Sequence, residues 1–120
     1  MSQPASIRIE MLRALVAESP GDATAHFLLG RALLDAGHAP EAIAAFQAAI
    51  GADPGYTAAY RQMGNAQEAA GRIDDAIATY RRGIAVAQET SDLQAGKEMN
   101  AFLKRLARAG LSPPADDPRP

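Results

Sequence analysis

Residues 23–56 read ATAHFLLGRALLDAGHAPEAIAAFQAAIGADPGY, and residues 57–90 read TAAYRQMGNAQEAAGRIDDAIATYRRGIAVAQET. Laid over each other at an offset of 34 residues, they match at the same few places. Gly30 falls on Gly64, Ala32 on Ala66, and Ala36-Gly37 on Ala70-Gly71. Ala42-Ile43-Ala44 falls on Ala76-Ile77-Ala78, and Ile50 on Ile84. Between these identities the chemistry recurs: His26 meets Tyr60, Leu29 meets Met63, Glu41 meets Asp75, and Phe46 meets Tyr80. One period further back, Pro54-Gly55 falls on Pro20-Gly21 and Ile50 on Val16, which marks a half copy at the N-terminal side.

Each copy reads as two helices around a glycine turn. In the first, the segment from about Asp22 to Ala36 is rich in helix formers and ends at Gly37, a left-handed stop. Pro40 opens the next helix at its first position, where a missing N–H costs nothing, and Glu41 complements the positive helix end. In the second copy Gly71 repeats the stop, and Asp74-Asp75 are expected to supply the cap and the first-turn charge. The reason for the period lies in its small residues. Gly30 and Gly64 are expected to let the first helix of each copy approach the second at Ala42 or Ala76, with Phe46 and Tyr80 filling the gap one turn along. Leu29, Leu33, Ile43, Ile50, Met63, Ile77 and Ile84 complete the expected core at helical spacing.

A 34-residue period, a glycine in the first helix, an alanine and an aromatic in the second, and Asp-Pro between copies resemble the tetratricopeptide repeat, as seen in small bacterial-type proteins of that family. Two positions depart from the pattern: the usual Trp is His26 or Tyr60, and Gln88 stands where Pro is customary, so the last helix of that copy should run on a little. The resemblance implies an all-α, right-handed helical solenoid of antiparallel helix pairs. The single domain should cover 4–110, as an N-terminal helix over 4–18, repeats over 23–56 and 57–90, and a capping helix over 91–109.

Outward from the repeats, the N-terminal helix carries Ile9, Leu12, Leu15 and Val16 on one face and resembles the second helix of a repeat without its first. Arg8 stands where the full copies carry Ala42 and Ala76, as expected if no helix crosses there. At the other end Ser91-x-x-Gln94 reads as a capping box, followed by Met99, Phe102, Leu103 and Leu106 on one face. Lys97, Lys104, Arg105 and Arg108 would keep the outside of this cap soluble. Residues 111–120, dominated by Ser-Pro-Pro-Ala-Asp-Asp-Pro-Arg-Pro, read as a disordered tail.

Composition bounds the function. The chain of 120 residues has 48% hydrophobic and 22% charged residues, a globular balance for one domain, with about a quarter of it alanine. A net charge of −2 gives no field for nucleic acid or anionic lipid. No run is long and apolar enough to span a bilayer and no secretory signal is present, so a cytoplasmic location is expected. With no cysteine there is no disulfide, thiolate zinc site or thiol nucleophile. His26 and His38 lack partners at metal spacing, there is no phosphate-cradling loop, and no serine sits in a nucleophile elbow. The expectation is a non-enzyme with no catalytic residue, metal or cofactor.

What the resemblance implies instead is a concave groove made by the first helices, able to take a peptide or a partner helix. Helical phase puts Thr24, Phe27, Leu28, Arg31 and Asp35 on its first half, and Arg61, Gln62, Asn65 and Glu68 on its second. Phe27 and Leu28 could equally be covered by the N-terminal helix. Arg61 and Asn65, one turn apart, resemble the basic and amide residues with which some members hold a peptide carboxylate, and Arg31 is the first-copy equivalent of Asn65. Asp35 and Glu68 would instead neutralise the two arginines along the helices. The expected peptide-binding set is Phe27, Leu28, Arg31, Arg61, Gln62, Asn65 and Glu68, serving an adaptor or co-chaperone-like interaction module. The alternative is a structural self-association unit, a homodimer completing the half repeat; the chain is expected to be a monomer or weak homodimer.

Overall fold

The computed structural model describes residues 3–111, with side chains from Ala5 on. It contains six α-helices and, among the described residues, no strand: α1 (Gln3–Glu18), α2 (Ala23–Asp35), α3 (Ala39–Ala52), α4 (Thr57–Ala69), α5 (Ile73–Thr90) and α6 (Leu93–Arg108). Short turns make neighbours in sequence neighbours in space, and each helix packs on the one before. The expected tail over 112–120 lies outside the described residues. Leu111 belongs with α6, since its amide donates to the Leu106 carbonyl at 3.0 Å.

The turns show why the pattern recurs. Gly37 (φ 85°) and Gly71 (φ 77°) take the left-handed conformation after α2 and α4. That lets His38 N–H reach Leu33 O and Arg72 N–H reach Gln67 O, both at 2.8 Å, closing the helix ends. The same stop after α5 is made by Ser91 at φ 60°, where Asp92 N–H donates to Ala87 O. Ser91 is therefore committed to ending α5, and the expected Ser91–Gln94 capping box does not form. Asp92 caps α6 instead, accepting from the Ala95 amide and from the Thr57 hydroxyl. At the start of α5, Arg72 occupies the cap position and no side chain bonds the free backbone amides there, so Asp74 does not cap. Asp75 accepts from Arg72 Nε at 2.9 Å in the first turn.

Hydrogen bonds from Thr57 and the Ala95 amide hold the Asp92 carboxyl below its ordinary range. A lowered folded-state value favours folding above the unfolded value, and that contribution is lost as pH falls through the lowered one. Asp92→Ala should lower the melting temperature at neutral pH, since the cap of α6 is lost. Its stability difference from the parent should shrink on acidification, as followed by thermal melts across the acid range.

The glycine contact differs from the expected one. A Cβ on Gly30 would lie 2.6 Å from the Phe46 ring, and one on Gly64 would overlap Tyr80 more severely. The rings of Phe46 and Tyr80, both fully buried, lie directly on the glycines, while Ala42 and Ala76 are buried alongside. A third close approach, at Gly83, is set by α6: a Cβ there would meet the Met99 sulfur and come within 2.8 Å of Tyr60 Cβ. His26 and Tyr60 also repeat a polar contact. His26 Nε2 lies 2.7 Å from Pro20 O and Tyr60 Oη donates to Pro54 O at 3.1 Å, so each ties its helix to the turn before it. Both carry a polar tip that reaches this carbonyl, as an indole N–H also could.

The core runs through every helix pair, with Leu29, Leu33, Ile43, Ile50, Met63 and Ile77 buried and Ile84 half-buried. On α1, Ile9, Leu12 and Val16 face this core, but Leu15 does not and is 41% exposed. The spacing of the helices also bends the molecule. The backbones of α2 and α4, and of α4 and α6, approach within 8 Å, whereas those of α1, α3 and α5 do not approach one another. The first helices therefore form the inner, tighter row.

Candidate peptide-binding face

Three helices supply the inner row, and the residues on it have unequal fates. Phe27 is half-buried, stacks on Tyr56 with ring centroids 5.0 Å apart and tilts against Phe46 at 5.7 Å. Its ring partners come from α3 and from the turn that enters α4, both within its own repeat. Leu28 is half-buried and borders an open trough shared with Ile7, Arg8, Met11, Leu12 and Leu15 of α1. Arg31 is exposed, with no ion pair among the described residues. Gln62 is half-buried on α4.

Arg61, Asn65 and Glu68 are engaged, but not with the groups expected. Arg61 Nη1 donates to Glu98 Oε1 at 2.5 Å, each side chain about one third exposed, while Arg61 Nε is buried without a partner among the described residues. Glu68 pairs with Arg105 of the cap helix, accepting from Nη2 at 2.8 and 3.0 Å. Neither Arg61 nor Arg31 is neutralised by Glu68 or Asp35; the bridges cross between helices and do not run along one. Tyr80 Oη lies 2.5 Å from Glu68 Oε2 and 2.7 Å from Asn65 Oδ1. A phenol has one proton to give, so the charged carboxylate takes it. Burial, with the Glu68 bond added to it, pushes the Tyr80 hydroxyl far above the usual tyrosine range, so it stays a neutral donor.

Glu98 and Arg105 were not singled out as partners from the sequence, yet both bridges span 37 residues. A search for opposite charges at one period plus about one helical turn would have found them. Among the described residues, no group of His, Cys, Asp or Glu is arranged to hold a metal ion. No helix there is long and apolar enough to cross a membrane.

A family model described as tetratricopeptide repeat matches residues 33–99, more than half of the chain. The chain belongs to the tetratricopeptide repeat family. Solved structures of this fold agree. The TPR2B domain of yeast Sti1, in its complex with pHsp70, superposes with a TM-score of 0.82 at 21% identity, covering 90% of this chain and 86% of that one. Protein BPP2914 from Bordetella parapertussis gives 0.75 at 28% identity, covering 92% and 96%. MamA from MSR-1 gives 0.69 at 23% identity, covering 73% of this chain and 51% of that one. No curated protein matches. Tetratricopeptide repeats are protein–protein interaction modules, and the six helices of this chain form their solenoid.

Proposed function

We propose that this tetratricopeptide repeat protein is an adaptor or co-chaperone-like module that takes an extended peptide along the inner row of α2, α4 and α6. The observation that carries this reading is Arg31, an exposed guanidinium without an ion pair among the described residues, about one turn from Leu28 on α2. A peptide with a carboxylate beside an apolar side chain fits it: Arg31 takes the charge and Leu28 the apolar contact. Arg61 can join by exchanging Glu98 for the peptide carboxylate, because a partly exposed pair is worth only about 0 to 1 kcal/mol. The Sti1 domain of the same fold forms a complex with pHsp70, which supports a peptide ligand for this face.

The expected affinity is about micromolar to tens of micromolar, since the face is shallow and the peptide is ordered on binding. Titration with a mixture of acidic peptides, followed by amide chemical shifts, should move Arg31, Arg61 and Asn65. Arg31→Glu should weaken binding by roughly tenfold or more. Shifts confined to α3 and α5, or an unchanged affinity in the variant, would place binding elsewhere.

A further inference from the structure

The 34-residue period lets α1 be compared with α3 residue by residue. Arg8, Met11, Leu12 and Leu15 correspond to Ala42, Ala45, Phe46 and Ala49. In α3 all four are between 0% and 7% exposed. That face includes the Phe46 ring that sits on Gly30 of α2. In α1 the same face stands open: Met11 is 67% and Leu15 41% exposed, Ile7 beside them is 58% exposed, and only Leu12 is half-buried. Leu28, the counterpart of Gln62, borders the resulting trough of about 760 Å³ from the other side. The trough is thus the seat of a first helix, and no described residue fills it.

We infer that this seat is filled by α1 of a second copy of the same chain, with the two α1 helices antiparallel about a two-fold axis at Met11. Helix pairs within each repeat are already antiparallel, so the second α1 approaches as a first helix would. The stripe is self-complementary. Ile7 and Leu15 are each four residues from Met11, so the two-fold sets Ile7 of one copy against Leu15 of the other. Charge follows the same symmetry. Arg8 and Glu18 carry no ion pair among the described residues, and the antiparallel arrangement brings Glu18 of the second copy to within about 6 Å of Arg8 along the axis, a gap long side chains close. Each dimer gains this pairing twice. One helix face and Leu28 offer less than the roughly 1,600 Å² of a standard interface, so the dimer is weak, with a Kd of about tens to hundreds of micromolar.

Sedimentation equilibrium of the full chain from about 10 to 500 µM should show the mass rising from 12.6 kDa toward twice that value. Met11→Glu sets two carboxylates together on the axis and should abolish the rise. Its melting temperature at low concentration should be unchanged, because Met11 is exposed in the single chain. Arg8→Glu should weaken the dimer by about tenfold, and adding Glu18→Arg should restore it. The chain has no cysteine, so Met11→Cys gives a single-thiol protein. Oxidation should link it into dimers at least about ten times faster than Leu93→Cys at the far end of the chain. A mass of 12.6 kDa at every concentration, a dimer indifferent to Met11→Glu, or a charge swap that fails to restore association would overturn the inference.

Discussion

Gly64→Leu should destabilise the fold by about 2 to 4 kcal/mol, reaching past the usual overpacking range, and lower the melting temperature by about 6 to 25 °C. The first added carbon already lands on the Tyr80 ring. That ring cannot swing aside cheaply, because its hydroxyl is held by Glu68 and sits against Asn65 while the ring face meets Phe102 at 5.3 Å. Any helix propensity gained over glycine, about 1 kcal/mol, is smaller than this cost. Gly30 offers an internal comparison. Phe46 crowds it in the same way but has no hydroxyl to anchor it, so Gly30→Leu should cost less than Gly64→Leu. Equal melting temperatures for the Gly64 variant and the parent would remove the close-approach explanation of the repeat.

Truncation after Glu89 should cause aggregation and the loss of a single cooperative melt. Two fully buried side chains, Met99 and Leu106, leave with α6, each worth about 1.5 to 3 kcal/mol of burial. Loss of the helix uncovers Gly83 from Met99, Ala87 from Gly96 and the Tyr80 ring from Phe102. Arg61 and Glu68 lose their cross-helix partners together, and Thr57 loses Asp92. Stability in a solenoid is close to a sum over neighbouring units, so two repeats without this cover retain little. A shortened chain that stays monomeric and melts as before would show that α6 is dispensable.

The periodic parts of the fold were legible because packing forces them. A glycine under a ring and a glycine in a left-handed turn each tolerate few residues, so Gly30, Gly64, Gly37 and Gly71 stand out at a fixed spacing. Which group lies on the glycine was not legible. Ala42 and Phe46 are both one face of α3, and the choice between them depends on the side-chain direction along the helix. The register of α6 was hidden for a related reason. Gln88 in place of proline lets α5 run for 18 residues where α3 has 14, so the α6 cap falls at Asp92, two positions beyond a strict repeat of Tyr56. A capping box read from Ser91 and Gln94 ignores that shift. The inner face suffered most from it: Arg61 and Glu68 find their partners on α6, and spacing along a single helix carries no trace of that.

The unequal distances within the two rows of helices have a mechanical consequence. On the inner side neighbouring backbones approach within 8 Å and Arg61–Glu98 and Arg105–Glu68 tie α4 to α6; on the outer side Arg13–Glu41 links α1 to α3, but α3 and α5 are separated by a polar furrow of about 410 Å³ floored by Gln67 and Thr79. Flexing that widens or narrows the furrow displaces water and breaks no backbone contact, whereas stretching the inner row strains both ties. Between α3 and α5, therefore, a change of curvature would meet less resistance than between α4 and α6. The two ties between α4 and α6 are ionic and partly exposed, so added salt loosens that one joint of the arc while the apolar packing holds.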